Sequence, residues 1–171
     1  MKLKFFFLLF FVTSFLFSQE KSISQQLSNS LVKVEGKALK KVDHAAIAET
    51  KYFLFYFSAH WCPPCRAFTP NLVDFYNQTK PTHPELEVVF MSSDRSEEDM
   101  KAYMIEAKMP WTAVQFSKIE SMKKINDYAG SGIPCVVVVD AQGNVLADSF
   151  KGSQYLGPQK PVDDLKKLLK Q

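Results

Sequence analysis

Apolar residues in this chain cluster in short runs that alternate with amphipathic segments. Runs of strand length lie at 52–57, 86–91 and 136–139, and the first is continuous, as in a strand buried on both faces. A shorter pattern predicts a strand at 31–34, and a turn after 136–139 leads into a predicted strand over 145–150. The alternation favours the α/β class, with helices around a central sheet, and the hairpin near the C-terminus makes that sheet mixed.

Apolar stripes and capping residues between these runs predict the helices. Asp43 and Ser96 are suited to cap helices, and Asp99 stands three residues after Ser96, as in a capping box. The predicted helices are a short one after Asp43, one after Trp61, one after Ser96, one over 117–128 and an amphipathic one around 165–169.

The first residues differ from the rest of the chain. Lys2 and Lys4 precede a run over 5–17 that is apolar at all but two positions, and Ser18 follows it. This run is too short to span a bilayer, which takes about 20 residues. The pattern predicts a secretory signal peptide over 1–18, cleaved near Ser18, and the alternative is an uncleaved N-terminal anchor. We therefore expect an exported protein, periplasmic or secreted, whose mature chain has no membrane span.

The remainder has the size and composition of one globular domain. Of the 171 residues, 46% are hydrophobic and 23% are charged. Residues 19–30 are polar and rich in Ser and Gln, which predicts a poorly ordered tether ahead of a domain over 31–171. Removal of the two leader lysines reduces the formal charge from +3 to +1. Because no basic face stands out in what remains, nucleic acid is not an expected partner.

The main candidate for chemistry is the pair Cys62 and Cys65, which enclose Pro63 and Pro64. A strand is predicted to end near Ser58 and a helix to begin near Cys62, so the first cysteine lies where backbone N–H groups are unpaired and the helix dipole is positive. Both effects favour the thiolate, which is the reactive species. The two prolines suit a first helical turn, because their missing N–H groups are not needed there. Cys65, one turn further on, is placed to attack a mixed disulfide formed by Cys62.

The cysteines could also serve a structural or a metal-binding role. A structural disulfide between Cys62 and Cys65 would close too small a loop to stabilise the fold much. A zinc or copper site would need further ligands, and His60, Cys62, Cys65 and Cys135 are the four candidates. The sequence favours a redox pair without a metal.

Several motifs in this order resemble the tryparedoxin and nucleoredoxin branch of the thioredoxin superfamily, over roughly residues 31–150. They are Trp61-Cys-Pro-Pro-Cys-Arg66, Phe68-Thr69-Pro70, the segment 92–98, Met109-Pro110-Trp111 and Gly132-Ile133-Pro134. Ile133–Pro134, just ahead of a strand, is also a candidate cis peptide bond on its own account.

The resemblance implies a thioredoxin-like fold and assigns roles to individual residues. Cys62 would be the exposed nucleophile and Cys65 the resolving thiol. Pro134 would be a cis-proline facing them, and the backbone of Ile133 would pair with an extended substrate segment. Trp61 would form part of the rim of the site.

Three residues near the motifs are open to more than one interpretation, and a fourth departs from the family pattern. Tyr56 occupies the position of a buried acid in thioredoxins proper, where it could assist Cys65 or simply pack in the core. Cys135 replaces the usual threonine after the cis-proline and is either a small buried hydrophobe or a spare thiol. His60 could stabilise a thiolate at Cys62 or be an ordinary loop residue. Gln115 stands where the family tends to have proline.

The resemblance favours a protein-disulfide reductase, and we expect it to need no cofactor, to act as a monomer and to be recharged by a partner dithiol or reductase. Its expected partners are client proteins that contain disulfides. A disulfide-donating oxidase would use the same steps in reverse, and an oxidising compartment favours that direction. The alternative of a different class is a copper- or zinc-binding chaperone that uses the same cysteines.

Overall fold

The computed structural model describes residues 21–170. Its strands are β1 (Leu31–Glu35), β2 (Ala38–Lys41), β3 (Tyr52–Ser58), β4 (Leu86–Ser92), β5 (Thr112–Val114), β6 (Cys135–Asp140), β7 (Val145–Asp148), β8 (Phe150–Lys151) and β9 (Gln154–Tyr155). Its α-helices are α1 (Ile23–Leu27), α2 (Pro63–Thr79), α3 (Glu97–Glu106), α4 (Lys123–Asn126) and α5 (Gln159–Leu168). Two short 3-10 helices span His44–Ile47 and Phe116–Ser121. The predicted leader over 1–18 lies outside the described residues.

Strands β1 to β7 form one mixed sheet, in the order β2-β1-β5-β4-β3-β6-β7. The centre is parallel, since β4 pairs in parallel with both β3 and β5. β6 runs antiparallel to β3 and pairs Val136 with Tyr56, and β7 follows it as an antiparallel edge strand. β8 and β9 form a separate hairpin. The predicted α/β fold with a mixed central sheet flanked by helices is confirmed.

Both faces of the sheet are covered, so the central strands are apolar at successive positions. Leu54 and Tyr56 of β3 point to a first face, where α2, α3 and α5 pack. Phe55 and Phe57 point to a second face, which α1, α4 and the 3-10 helices cover. The continuous apolar run predicted as a buried strand is therefore buried on both sides.

The N-terminal segment contradicts the tether predicted over 19–30, as far as the structure describes it. Ser22 caps α1 with a capping box, and Ile23 and Leu27 are 0% and 1% exposed in the second face. Burying an aliphatic side chain of this size stabilises a fold by about 1.5–3 kcal/mol. Two such residues four positions apart hold an otherwise polar segment on the sheet, so the packed domain begins before residue 31.

Other predicted elements keep their place but change their form. Asp43 and Ser96 accept hydrogen bonds from backbone N–H groups, as expected of helix caps. The helix predicted over 117–128 is instead a 3-10 helix followed by α4, because Met122 leaves the helical region at φ −80° and ψ 53°. The strand predicted over 145–150 ends at Asp148, and Ser149 separates β7 from β8. Among the described residues, no helix is both long and apolar enough to cross a membrane.

Candidate active site

Cys62 and Cys65 form a disulfide in the first turn of α2, with their Cα atoms 5.2 Å apart. Cys62 is the N-cap residue, and Pro63 and Pro64 occupy the first two helical positions, where a missing N–H costs nothing. The amide of Cys65 donates a hydrogen bond to Cys62 Sγ over 3.3 Å. The helix start thus directs a backbone donor and its positive dipole end at the sulfur of Cys62.

Both cysteines of the disulfide are buried. Cys62 is 3% exposed, so the exposure that the resemblance implied for it is not found here, and Cys65 is 0% exposed, with Ala59 and Ile133 packed beside them. Trp61 is 58% exposed, and its indole N–H donates to the carbonyl of Ser93 over 3.1 Å. An exposed aromatic side chain thus stands next to the more accessible cysteine.

The Ile133–Pro134 peptide bond is cis and lies against the disulfide. The carbonyl oxygen of Ile133 is 3.9 Å from Cys62 Sγ. No described residue accepts a hydrogen bond from the amide of Ile133. A cis-proline therefore faces the cysteines, at the place where the sequence predicts one, and the segment before it has a free backbone donor.

Tyr56 lies in a buried cluster of hydroxyl groups behind the cysteines. Its hydroxyl donates to the carbonyl oxygen of Cys65 over 3.2 Å, and Ser58 Oγ donates to it over 2.9 Å. Thr69 Oγ1 also donates to the carbonyl of Cys65, over 2.9 Å, and hydrogen bonds with Tyr103 close the cluster. Burial raises the pKa of Tyr56 above the usual range of a phenol, so it stays neutral. The cluster holds the backbone of Cys65 and has no described bond to its sulfur.

His60 is fixed by three contacts on the side of α3. Its backbone N–H donates to Asp94 Oδ1 over 2.7 Å, and its ring stacks on Tyr103 with centroids 5.5 Å apart. Its Nε2 lies 2.9 Å from Glu106 Oε2. The imidazole is therefore engaged by a carboxylate on α3, which leaves its predicted role toward Cys62 without a direct contact.

Cys135 is fully buried and unpaired. It pairs in register with Phe57 and belongs to the second face of the sheet, whereas α2 packs on the first. Burial raises the pKa of its thiol to about 11. These facts agree with the interpretation of Cys135 as a small buried hydrophobe.

Gln115, directly after β5, forms hydrogen bonds with the N-terminal segment. Its backbone N–H donates to the carbonyl of Ser30 over 2.7 Å, and its side-chain amide donates to the carbonyl of Asn29 over 2.9 Å. The family's proline could not make the first of these bonds, because it lacks the N–H.

The candidate metal ligands do not converge. Within residues 21–170 no three His, Cys, Asp or Glu side chains are grouped so that they could hold a metal ion. His60 is turned to Glu106, and Cys135 faces the other side of the sheet.

Several residues that shape the site were missing from the sequence prediction. Asp94 and Glu106 hold His60, Ser93 holds the indole of Trp61, and the Tyr155 hydroxyl donates to the carbonyl of Pro134 over 2.7 Å. Ser93 and Asp94 stand in the segment 92–98 that carried the family resemblance, and that was the available signal. Glu106 and Tyr155 lie outside every motif.

Comparisons with known proteins agree with this geometry. The sequence profile of a thioredoxin-like family matches residues 49–145, more than half of the chain. Nucleoredoxin from Mus musculus is 38% identical over 127 residues, which are 74% of this chain and 28% of that protein. The chain thus spans little more than a quarter of the length of that relative.

Solved structures resemble most of the chain. Thioredoxin from Wuchereria bancrofti is 37% identical with a TM-score of 0.63, over 85% of this chain and 96% of that one. Tryparedoxin I from Leishmania major is 31% identical with a TM-score of 0.59, over 70% of this chain and 80% of that one. With its paired cysteines at a helix start and its facing cis-proline, the chain belongs to the thioredoxin superfamily, in the tryparedoxin- and nucleoredoxin-like branch of thiol–disulfide oxidoreductases.

Proposed function

We propose that this protein, after export, reduces disulfides in client proteins through the Cys62–Cys65 dithiol. One observation carries the proposal: Cys62 Sγ lies at the helix start, 3.9 Å from the carbonyl of Ile133, while Cys65 is buried behind it. A nucleophile, a resolving thiol and a free backbone donor for substrate thus meet in one place.

The reduction proceeds by two exchanges. The Cys62 thiolate attacks one sulfur of a client disulfide, a mixed disulfide forms, and the other client sulfur leaves as a thiolate. The thiolate of Cys65 then attacks Cys62 Sγ, which closes the Cys62–Cys65 disulfide and releases the second client thiol. The client gains two electrons and two protons, and a donor dithiol returns the pair to its reduced form in the same two steps.

The position of Cys62 supports its role as the attacking group. When the pair is reduced, the Cys65 amide that now lies 3.3 Å from Cys62 Sγ is available to stabilise a thiolate. The dipole of α2 acts in the same direction, because negative charge is favoured at a helix N-terminus. Cys65 lies inside the helix and is 0% exposed, so it can meet a client only after Cys62 has reacted.

Client binding would use the segment before the cis-proline. An extended client segment that carries the target disulfide can pair with the free amide of Ile133, as in strand addition. The exposed ring of Trp61, the residue before Cys62, offers apolar contact to a client. The pairing with the Ile133 amide does not depend on the sequence of the client, which suits a protein that reduces several clients.

The reduction potential of the pair tests the direction of electron flow. In residues 19–171, which include every described residue, the Cys62–Cys65 couple would be equilibrated with thiol buffers of known potential. Members of this fold range from about −270 mV for a reductant to about −120 mV for a strong oxidant. We expect a value near the reducing end. A value near the oxidising end would instead make the protein a disulfide donor.

Trapping tests the roles of the two cysteines. We expect Cys65→Ser to accumulate mixed disulfides with clients and Cys62→Ser to accumulate none, because only the former keeps the attacking thiolate. Cys135→Ala is the matched control and should behave as the wild type. Full activity in Cys62→Ser would contradict the assignment.

Export is supported by the basic and apolar pattern of residues 1–18. The full-length chain, expressed in a secreting host, should be recovered outside the cytoplasm with Gln19 or a near neighbour as its first residue. Recovery of an intact N-terminus in the membrane fraction would favour the uncleaved anchor, and recovery in the cytoplasm would contradict export.

A further inference from the structure

The β8–β9 hairpin, Phe150–Lys151 with Gln154–Tyr155, lies beside the segment 130–134 that ends in the cis-proline. This segment, here called the cis-proline loop, carries the free amide of Ile133. The hairpin contacts the loop at both of its ends.

At the C-terminal end of the loop, the hydroxyl of Tyr155 donates to the carbonyl of Pro134 over 2.7 Å. The peptide oxygen that directly follows the cis bond is thereby held. Partial burial raises the pKa of Tyr155, so the phenol stays protonated and remains the donor. The ring of Tyr155 in turn packs on Phe150, with centroids 4.8 Å apart.

At the N-terminal end, the ring of Phe150 occupies the space that a side chain at residue 130 would need. A Cβ built on Gly130 would lie 2.1 Å from Phe150 Cε2, well inside van der Waals contact. Only glycine at this position lets the ring approach the loop backbone so closely. One hairpin thus presses on both ends of the loop, through two aromatic residues that pack on each other.

The base of the hairpin is held to the sheet by hydrogen bonds, so the hairpin has a fixed position beside the cis-proline loop. Ser149 is fully buried, and its side chain accepts from the amide of Val136 over 2.8 Å and donates to the carbonyl of the same residue. The amide of Leu156 donates to the carbonyl of Ser149 over 2.7 Å and closes the base. β6, which begins directly after Pro134, and the hairpin are therefore fixed to each other.

We propose that Tyr155 is a positioning residue that, with Phe150, orders the cis-proline loop so that the amide of Ile133 is presented to an extended client segment. The proposal rests on the proposed function, since it concerns how that site binds its client. It assigns a role to a part of the chain, beyond residue 145, that the matched thioredoxin-like family profile does not cover.

The order of the Ile133 amide tests the positioning directly and needs no turnover. In ¹⁵N-labelled protein we expect an order parameter near 0.85 in the wild type, about that of a rigid backbone, and a fall toward 0.6 in Tyr155→Phe. Gly130→Ala, which displaces the Phe150 ring, should lower it as well. Tyr52→Phe is the matched control. It removes a hydroxyl at the first residue of β3, whereas the cis-proline loop adjoins the other end of that strand, where Phe57 pairs with Cys135.

Single-turnover reduction of insulin by pre-reduced protein tests the consequence for binding. Loss of the Tyr155 hydroxyl should raise the half-saturating insulin concentration by about two- to tenfold, with the limiting rate retained. The rate with 5,5′-dithiobis(2-nitrobenzoate), which has no backbone to pair with Ile133, should change less than the insulin value. In the double variant, Tyr155→Phe with Gly130→Ala, the effects should be less than additive, because both act through one hairpin.

The possible outcomes separate the two proposals. A wild type that reduces the small disulfide but not insulin would overturn the proposed function, while the order of Ile133 would still decide the role of Tyr155. An unchanged order parameter in Tyr155→Phe overturns the positioning role, even if insulin binding weakens. Lower order with unchanged insulin saturation overturns it too, since the loop's order would then have no effect on binding.

Discussion

Replacement of Tyr56 by phenylalanine separates a structural hydroxyl from a catalytic one. Tyr56 stands where thioredoxins proper carry a buried acid, and its hydroxyl lies 3.2 Å from the carbonyl of Cys65. The phenylalanine keeps the ring, which packs edge-on against Phe68 and Trp111, and removes the hydroxyl alone. We expect a loss of stability without a loss of chemistry.

The size of the loss of stability depends on which hydrogen bonds the neighbours of Tyr56 retain. The carbonyl of Cys65 retains the hydrogen bond from Thr69, and the hydroxyl of Ser58 can turn to Tyr103, 3.2 Å away. Thr69 Oγ1, which lies 2.8 Å from the Tyr56 hydroxyl, keeps its hydrogen bond with Tyr103. Because no partner is left orphaned, the cost is near the net value of one or two hydrogen bonds, about 1–2 kcal/mol. In a protein of this size that corresponds to a fall in Tm of about 2–8 °C.

The assay has two parts, unfolding in urea and the pH dependence of insulin reduction. Burial raises the pKa of Tyr56 beyond the usual range of a phenol, so its hydroxyl does not ionise between about pH 6 and 9. The pH profile of Tyr56→Phe should therefore match the wild type in shape and position, with turnover within about twofold of it.

Tyr76→Phe is the control for the loss of a buried hydroxyl far from the cysteines. Its hydroxyl donates to Glu87 Oε2 over 3.1 Å, and that carboxylate keeps Lys80 at 3.0 Å, so a similar cost is expected. If Tyr56→Phe alone lost a limb of the pH profile, or about a hundredfold in turnover, Tyr56 would be acting as an acid or base. The reasoning from its contacts would then be refuted.

Three further predictions concern stability and client contact. Leu27→Ala should cost about 2–5 kcal/mol in urea unfolding because the side chain is 1% exposed, whereas Leu146→Ala, at 40% exposure, should cost less than about 1 kcal/mol; equal losses would contradict the packing of α1. The thiol of Cys135 ionises at lower pH when unfolded than when folded, where its pKa is about 11, so stability should fall by about 3 kcal/mol as pH rises from about 8.5 to 11. Unfolding measured across that range should show this part of the fall missing in Cys135→Ala, and an identical slope would disprove it. Trp61→Ala should raise the half-saturating insulin concentration by about fivefold with little effect on stability, and an unchanged value would show that the rim does not contact the client.

The parts of the fold that the sequence predicted are those in which local pattern and tertiary environment agree. β3, β4 and β6 are apolar at most positions because both faces are covered, and that gives a long run to recognise. β5 has three residues and obtains its partners from β1 and β4, so no local pattern marks it. α1 has only two apolar residues, Ile23 and Leu27, and both are buried. Because the rest of the segment is polar, its average composition did not indicate a buried face.

The same contrast holds for the candidate site. Cys62 and Cys65 can be recognised from their spacing and from the prolines between them, and Pro134 from its distance downstream of the pair. Tyr155 reaches Pro134 across 21 residues, and Glu106 reaches His60 across 46. The topology of the sheet and the orientation of α3 bring these partners together. Composition and periodicity do not indicate either of them.

The placement of Cys135 makes the central sheet a partition between two thiol environments. With three cysteines the chain has an odd thiol, which in an exported protein ordinarily invites mispairing or dimerisation. Here the odd thiol is fully buried on the second face, while the exchanging pair lies at the start of a helix on the first. The folded protein therefore has one dithiol–disulfide couple, which carries two electrons, despite its third sulfur. In the proposed cycle those electrons leave through Cys62 alone.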